Sequence, residues 1–181
     1  HATAIWTISN GICTSTSTVL LKNDMMPEAA NAGPDQTHCN DSLFHMAATP
    51  GAITTSTGKW TVISGTATIA ATDLNNPTAS VIVFAGTSAT LQWTLSNGTC
   101  TGTPATVTLT NLGPVLNNTI SADQTLCASE TPAALTGTVA LSGGDGTYTY
   151  QWQISTTSAT TGFSNVTTGT GGTAATYTPA T

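Results

Sequence analysis

Short runs in which apolar residues alternate with Thr or Ser recur along the chain, and these runs predict strands. Over the middle third they are Trp60–Ile63, Ala67–Ile69, Ala79–Val83, Thr90–Leu95 and Ala105–Leu109. Alternation at period two puts one set of side chains on a core face and the other on an outer face. Turn residues separate the runs: Ser64-Gly65, Asn75-Asn76-Pro77, Ala85-Gly86 and Asn97-Gly98. An Asn-Gly pair between strands predicts a hairpin, here with a type I′ turn centred on Asn97 and Gly98. Further on, Tyr148–Ile154 alternates cleanly, and Gly162–Val166 and Ala175–Thr178 follow as shorter runs. Helix formers such as Glu, Lys, Arg and Gln are scarce. The pattern predicts an all-β chain of tandem immunoglobulin-like β-sandwich domains.

The pattern also repeats. Ile5-Trp6-Thr7-Ile8-Ser9-Asn10-Gly11-Ile12-Cys13-Thr14 matches Gln92-Trp93-Thr94-Leu95-Ser96-Asn97-Gly98-Thr99-Cys100-Thr101. Asp35-Gln36-Thr37-His38-Cys39 matches Asp123-Gln124-Thr125-Leu126-Cys127. Both matches have an offset of roughly 87–88 residues, about the size of one small β-sandwich domain. The closing motif comes first, then a unit that opens at Asp35 and closes at Trp93, then a new opening at Asp123. Residues 1–26 are therefore expected to be the C-terminal strands of a preceding repeat. Residues 27–112 are a complete repeat, and residues 113–181 are most of a following repeat of a sister subtype. The expected junctions are short and carry Pro27 and Pro114, which predicts domains in a stiff row.

Composition narrows what such an array can do. Charged residues make up 6% of the 181, the basic ones are Lys22 and Lys59 alone, and the net charge is −6. No basic face exists to neutralise phosphates, so no nucleic-acid partner is expected. Hydrophobic residues are 39% of the chain, too many for a disordered segment. No apolar run nears the roughly 18 residues of a membrane span, so no membrane insertion is expected. Thr supplies almost a quarter of the residues. Its β-branched side chain favours strands, and its hydroxyl keeps an outer sheet face wet without charge.

Asn31-Ala32-Gly33-Pro34-Asp35-Gln36-Thr37 with Cys39, then Gly58-Lys59-Trp60-Thr61-Val62, then Trp93–Cys100 resembles the Ig-like/PKD-like repeats of large Bacteroidetes surface proteins. Gliding-motility adhesins of the SprB type carry arrays of such units. Tyr150-Gln151-Trp152-Gln153 and Tyr177-Thr178-Pro179-Ala180 resemble a second repeat type of the same proteins. The resemblance implies a fragment of a longer exported chain, secreted by the type IX route and displayed extracellularly on the cell surface as a filament or stalk. It brings no catalytic residues and no cofactor. Asp41-Ser42-Leu43 also resembles Bacteroidetes O-glycosylation sites, which makes Ser42 a candidate for modification.

Each repeat carries one Cys after its opening strand and one at its closing hairpin. A Cys39–Cys100 bridge is therefore expected, closing about 60 residues and contributing roughly 4 kcal/mol in the chain-entropy model. Cys13 and Cys127 would then pair outside the segment, or with each other between neighbouring subunits. Trp6, Trp93 and Trp152 are expected in the core, Trp93 against the disulfide; Trp60 is a further core candidate. A carbohydrate- or surface-binding module is the alternative, because exposed Trp faces stack on sugars. His38, Cys39 and His45 do not have an established zinc spacing. Asp35 and Asp41 lie on turns rather than as a placed acid–base pair. No enzyme, metal or cofactor is expected. The expected partners are neighbouring repeats or identical chains in a filament, with surface glycans second.

Overall fold

The computed structural model describes residues 1–137 and 140–180. In chain order the strands are β1 (Ala2–Asn10), β2 (Cys13–Leu21), β3 (Gln36–Cys39), β4 (Leu43–His45), β5 (Thr57–Gly65), β6 (Thr68–Ile69) and β7 (Ser80–Ile82). They continue as β8 (Thr87–Asn97), β9 (Cys100–Thr101), β10 (Ala105–Leu112), β11 (Leu135–Thr136), β12 (Gln153–Ile154), β13 (Ser164–Asn165) and β14 (Thr176–Tyr177). The described residues contain no helix, and the all-β class holds. Contacts divide the chain into two compact units: His1–Thr37, Ser42–Phe84 and Ser88–Thr110 in one, His38–Asp41, Ala85–Thr87 and Asn111–Thr181 in the other.

The first unit contains a β-sandwich. One sheet has the order β3-β10-β8-β5, with β9 paired to β8; the other has the order β4-β7-β6. Between them lie Phe44, Met46, Val81, Val83, Trp60, Leu91, Trp93, Leu95, Val107 and Leu109, all buried. The alternation seen in the sequence is what builds this core. Along β8, Ala89, Leu91, Trp93, Leu95 and Asn97 point inward, and the intervening Thr90, Gln92, Thr94 and Ser96 are only half-buried. A register shift between Val62 and Ser64 breaks the alternation of β5, leaving Ile63 exposed.

Trp60 and Trp93 stand directly opposite each other on β5 and β8, with ring centroids 4.9 Å apart. A buried indole must place its N–H on an acceptor. The N–H of Trp60 donates to the carbonyl of Asn76 at 2.9 Å, and that of Trp93 to the carbonyl of Thr49 at 3.0 Å. The two aromatic rings thus tie the sheet to two loops as well as filling the core.

The hairpin turn differs from the expected type. Asn97 pairs with Cys100, so the loop residues are Gly98 and Thr99, and Gly98 alone has positive φ (61°). Glycine at the first loop position is the type II′ arrangement. The N-terminal copy does the same: Asn10 pairs with Cys13 around Gly11 (φ 64°) and Ile12.

The second unit is also all-β, but its ladders are short. β11 pairs β14 and β12 pairs β13, each over two residues per strand. Trp152 stacks on Tyr177 at 5.8 Å, and its N–H donates to the carbonyl of Ala174 at 2.9 Å. Of the predicted run Tyr148–Ile154, only Gln153 and Ile154 are in a strand.

Candidate functional site

The segment from Ala30 through β3 lies beside β10. Ala30 N–H donates to the Thr103 carbonyl at 2.8 Å, and Thr108 N–H donates to the Asp35 carboxylate at 2.7 Å. Asn40 N–H donates to the Leu112 carbonyl at 2.8 Å. The partner numbers rise together, so the segment through β3 runs parallel to β10. Tension along the chain would pull the start of this segment one way and the end of β10 the other. That motion slides two parallel strands past each other and loads the evenly spaced, slanted bonds between them in shear. They must fail together rather than one after another.

The segment between β2 and β3 is also pinned. The Asn97 side chain, 6% exposed, donates to the Met25 carbonyl at 2.9 Å and accepts from the Thr55 hydroxyl at 2.9 Å. The Cys100 thiol donates to the Asp24 carbonyl at 3.4 Å. Lys22 pairs with Asp24 at 3.0 Å. The Glu28 carboxylate accepts the N–H of Ala52 at 2.5 Å. That bond, then one from its own backbone N–H, holds its carboxyl below the ordinary glutamate value. The Asn-Gly-x-Cys letters of the closing motif therefore act here as a seat for the incoming segment, a role the sequence did not disclose.

The opening motif has a similar explanation. The Gln36 side chain donates to the His45 carbonyl at 2.9 Å, and Gln124 donates to the Ala133 carbonyl at 3.1 Å. Each reaches nine residues ahead, so the glutamine of both motif copies bridges the same turn. Sequence reading noted the repeated letters, and the equal spacing to an acceptor was the signal it missed.

The expected Cys39–Cys100 bridge is absent, and all four cysteines are free thiols. The reason is strand direction. β3 advances with β10, so Cys39 falls level with the end of that strand, whereas Cys100 lies before its start. Eight residues of strand at about 3.3 Å each span more than 20 Å, against the roughly 7 Å a disulfide tolerates. Trp93 accordingly packs on Trp60 rather than on a disulfide.

The other candidate residues are dispersed. Trp93 is in the core at 1% exposure, and Trp152 is half-buried in the second unit. Trp6, expected in the core, is 69% exposed; among the described residues the β1–β2 hairpin pairs only with itself. His45 faces the Ser80 hydroxyl at 3.3 Å, and His38 lies 4.0 Å from Asp41. No group of three or more metal-ligating side chains occurs among the described residues. Ser42 is exposed, and its carbonyl accepts from Val83 N–H. In the second unit, Ile120, Leu141, Tyr150 and Trp152 line a groove of about 430 Å³.

Fold and site together define an all-β chain with an immunoglobulin-like β-sandwich. A family model described as a domain of unknown function, DUF8696, matches residues 116–181. No curated protein matches the chain. Among solved structures, the chain is similar to the solution structure of the PKD domain (329–428) from human KIAA0319. The identity is 19% and the TM-score 0.39, over 49% of this chain and 85% of that one. No helix among the described residues is long and apolar enough to cross a membrane.

Proposed function

We propose that this chain is a structural repeat segment of an extracellular adhesin or surface filament, and that it works as a stiff stalk between neighbouring repeats. The observation that carries this reading is the parallel pairing of the segment through β3 with β10. A sandwich pulled through those two strands resists by shear, which suits a spacer under tension. The pinned junction at Asn97 and Glu28 supports it, since a linker hydrogen-bonded to the next sandwich transmits direction as well as force. Display on the surface of a Bacteroidetes cell by type IX secretion, in a gliding adhesin, rests on the resemblance of the Asn31–Thr37, Gly58–Val62 and Trp93–Cys100 motifs.

The glycan-binding alternative needs aromatic faces open to a sugar. Trp60 and Trp93 are each 1% exposed, which removes two of the four tryptophans and favours the stalk. Single-molecule pulling along the chain axis tests the reading. Asp35→Ala deletes the acceptor for Thr108, and should lower the rupture force with no change in the length released. A rupture force indifferent to Asp35→Ala, together with saturable binding to a glycan panel, would favour the binding module instead. The extracellular assignment is checked separately, by adding protease to intact producing cells.

A further inference from the structure

The seat at Asn97 holds a reactive pair. In an Asn-Gly sequence the glycine nitrogen can attack the preceding side-chain amide, because no side chain on the glycine obstructs the approach. Here the Gly98 nitrogen would give up its proton to solvent hydroxide and bond to Cγ of Asn97. The bond from Cγ to Nδ2 breaks, and ammonia leaves. Water then opens the succinimide ring to aspartate or isoaspartate. One water is consumed, one ammonia is released, and the product carries a new carboxyl group.

The fold holds the pair away from this reaction. Attack requires the Asn97 side chain to swing toward the amide that follows it. Its Nδ2 donates to the Met25 carbonyl at 2.9 Å, and its Oδ1 accepts from the Thr55 hydroxyl at 2.9 Å. The residue is 6% exposed. The Asp24 carboxylate lies over Gly98, in the space a Cβ would take. Asp24 and Met25 belong to the segment between β2 and β3, so the protection lasts only while that segment is seated. Its other contacts include the Cys100 thiol on the Asp24 carbonyl and the Ala52 N–H on the Glu28 carboxylate. Bonds of this kind open locally without unfolding a core.

The modified residue no longer fits the seat. A carboxylate at position 97 has no proton to donate, so the Met25 carbonyl would face a second acceptor in a site nearly closed to water. Isoaspartate also adds a backbone carbon to β8 where Asn97 pairs with Cys100.

We propose that Asn97-Gly98 is a deamidation site kept shut by the Asp24–Met25 segment, and that opening of this junction is recorded there as a permanent negative charge that keeps it open. The proposal concerns the chemistry of one side chain and stands apart from the stalk reading, whose test is a rupture force.

Incubation of the folded 181-residue chain at mildly alkaline pH tests it, with mass spectrometry of fragments that separate Asn97 from Asn10. Modification at Asn97 should be at least about tenfold slower than in a peptide of residues 92–101, since only the open fraction reacts. Thr55→Val removes the hydroxyl donor. Gly102→Ala places a Cβ 2.5 Å from the Glu28 carbonyl, which displaces the segment. Each variant should speed modification at least about threefold. Unchanged tryptophan fluorescence checks that the Trp60–Trp93 core stays intact. Trypsin reads the consequence, because proteolysis follows the population of the opened state. The basic residues are Lys22 and Lys59 alone, and Lys59 lies within β5. Asn97→Asp should therefore be cut after Lys22 faster than the wild type, with Lys59 uncut. Modification of the folded chain at the peptide's rate overturns the proposal. So does a rate that neither variant moves, or an Asn97→Asp chain cut no faster than the wild type.

Discussion

Gly58 shows how closely the core is fitted. It lies opposite Leu95 on β8, and the ring of Trp93 occupies the space where a Cβ would stand. Gly58→Ala should therefore force the buried indole aside and cost about 1–3 kcal/mol by overpacking, read as a lowered urea midpoint with unchanged slope. Glu28 gives a pH signature. Its folded-state value is depressed, so its stabilising bond to Ala52 is fully present above the unfolded glutamate value of about 4.3. It is lost as pH falls through the folded value. Glu28→Gln should flatten the acid limb of the stability profile at that junction, as measured by amide exchange at Ala52. Trp93 was legible at this scale because alternation fixes which side of a strand faces in. The cysteines were not, because a repeat gives positions along the chain and says nothing about whether two strands run together or apart.

At the scale of elements, the closing hairpin occurs twice in the sequence with two different fates. Asn97 is buried and holds Met25 and Thr55, whereas Asn10, at the same motif position, is exposed. Removing a buried amide strands its partners. Asn97→Ala should thus cost about 1–3 kcal/mol, while Asn10→Ala should stay within about 0.5 kcal/mol, both read by chemical denaturation. The strands β5, β6, β7, β8 and β10 were legible because apolar residues alternate along their runs against a partner that buries one face, whereas the two-residue β9 was not. Tyr148–Ile154 alternates equally well, yet only its last two residues lie in a strand ladder, with Ser164 and Asn165. Alternation states a preference for a half-buried strand, and only a neighbouring strand realises it. The type II′ turn was missed because Asn-Gly reads as the loop itself, whereas the register makes Asn97 the last strand residue.

Over the whole molecule, the low charge that first excluded phosphate-binding partners now has a place. Thr and Ser cover the outer faces of strands whose inner faces hold Trp, Leu and Val, and the two glutamine-bridged turns mark where each unit opens. The central claim is that residues 27–112 form a sandwich that resists tension through parallel terminal strands and without an internal disulfide. Pulling the chain end to end, before and after adding reductant, tests this most directly. Roughly 86 residues at about 3.5 Å each should release about 300 Å of contour in a single cooperative rupture, identical in both conditions. Gradual extension without a rupture would contradict the sheared sandwich. A release of only about a third of that length, growing to the full value with reductant, would show Cys39 and Cys100 joined and contradict the strand arrangement described here.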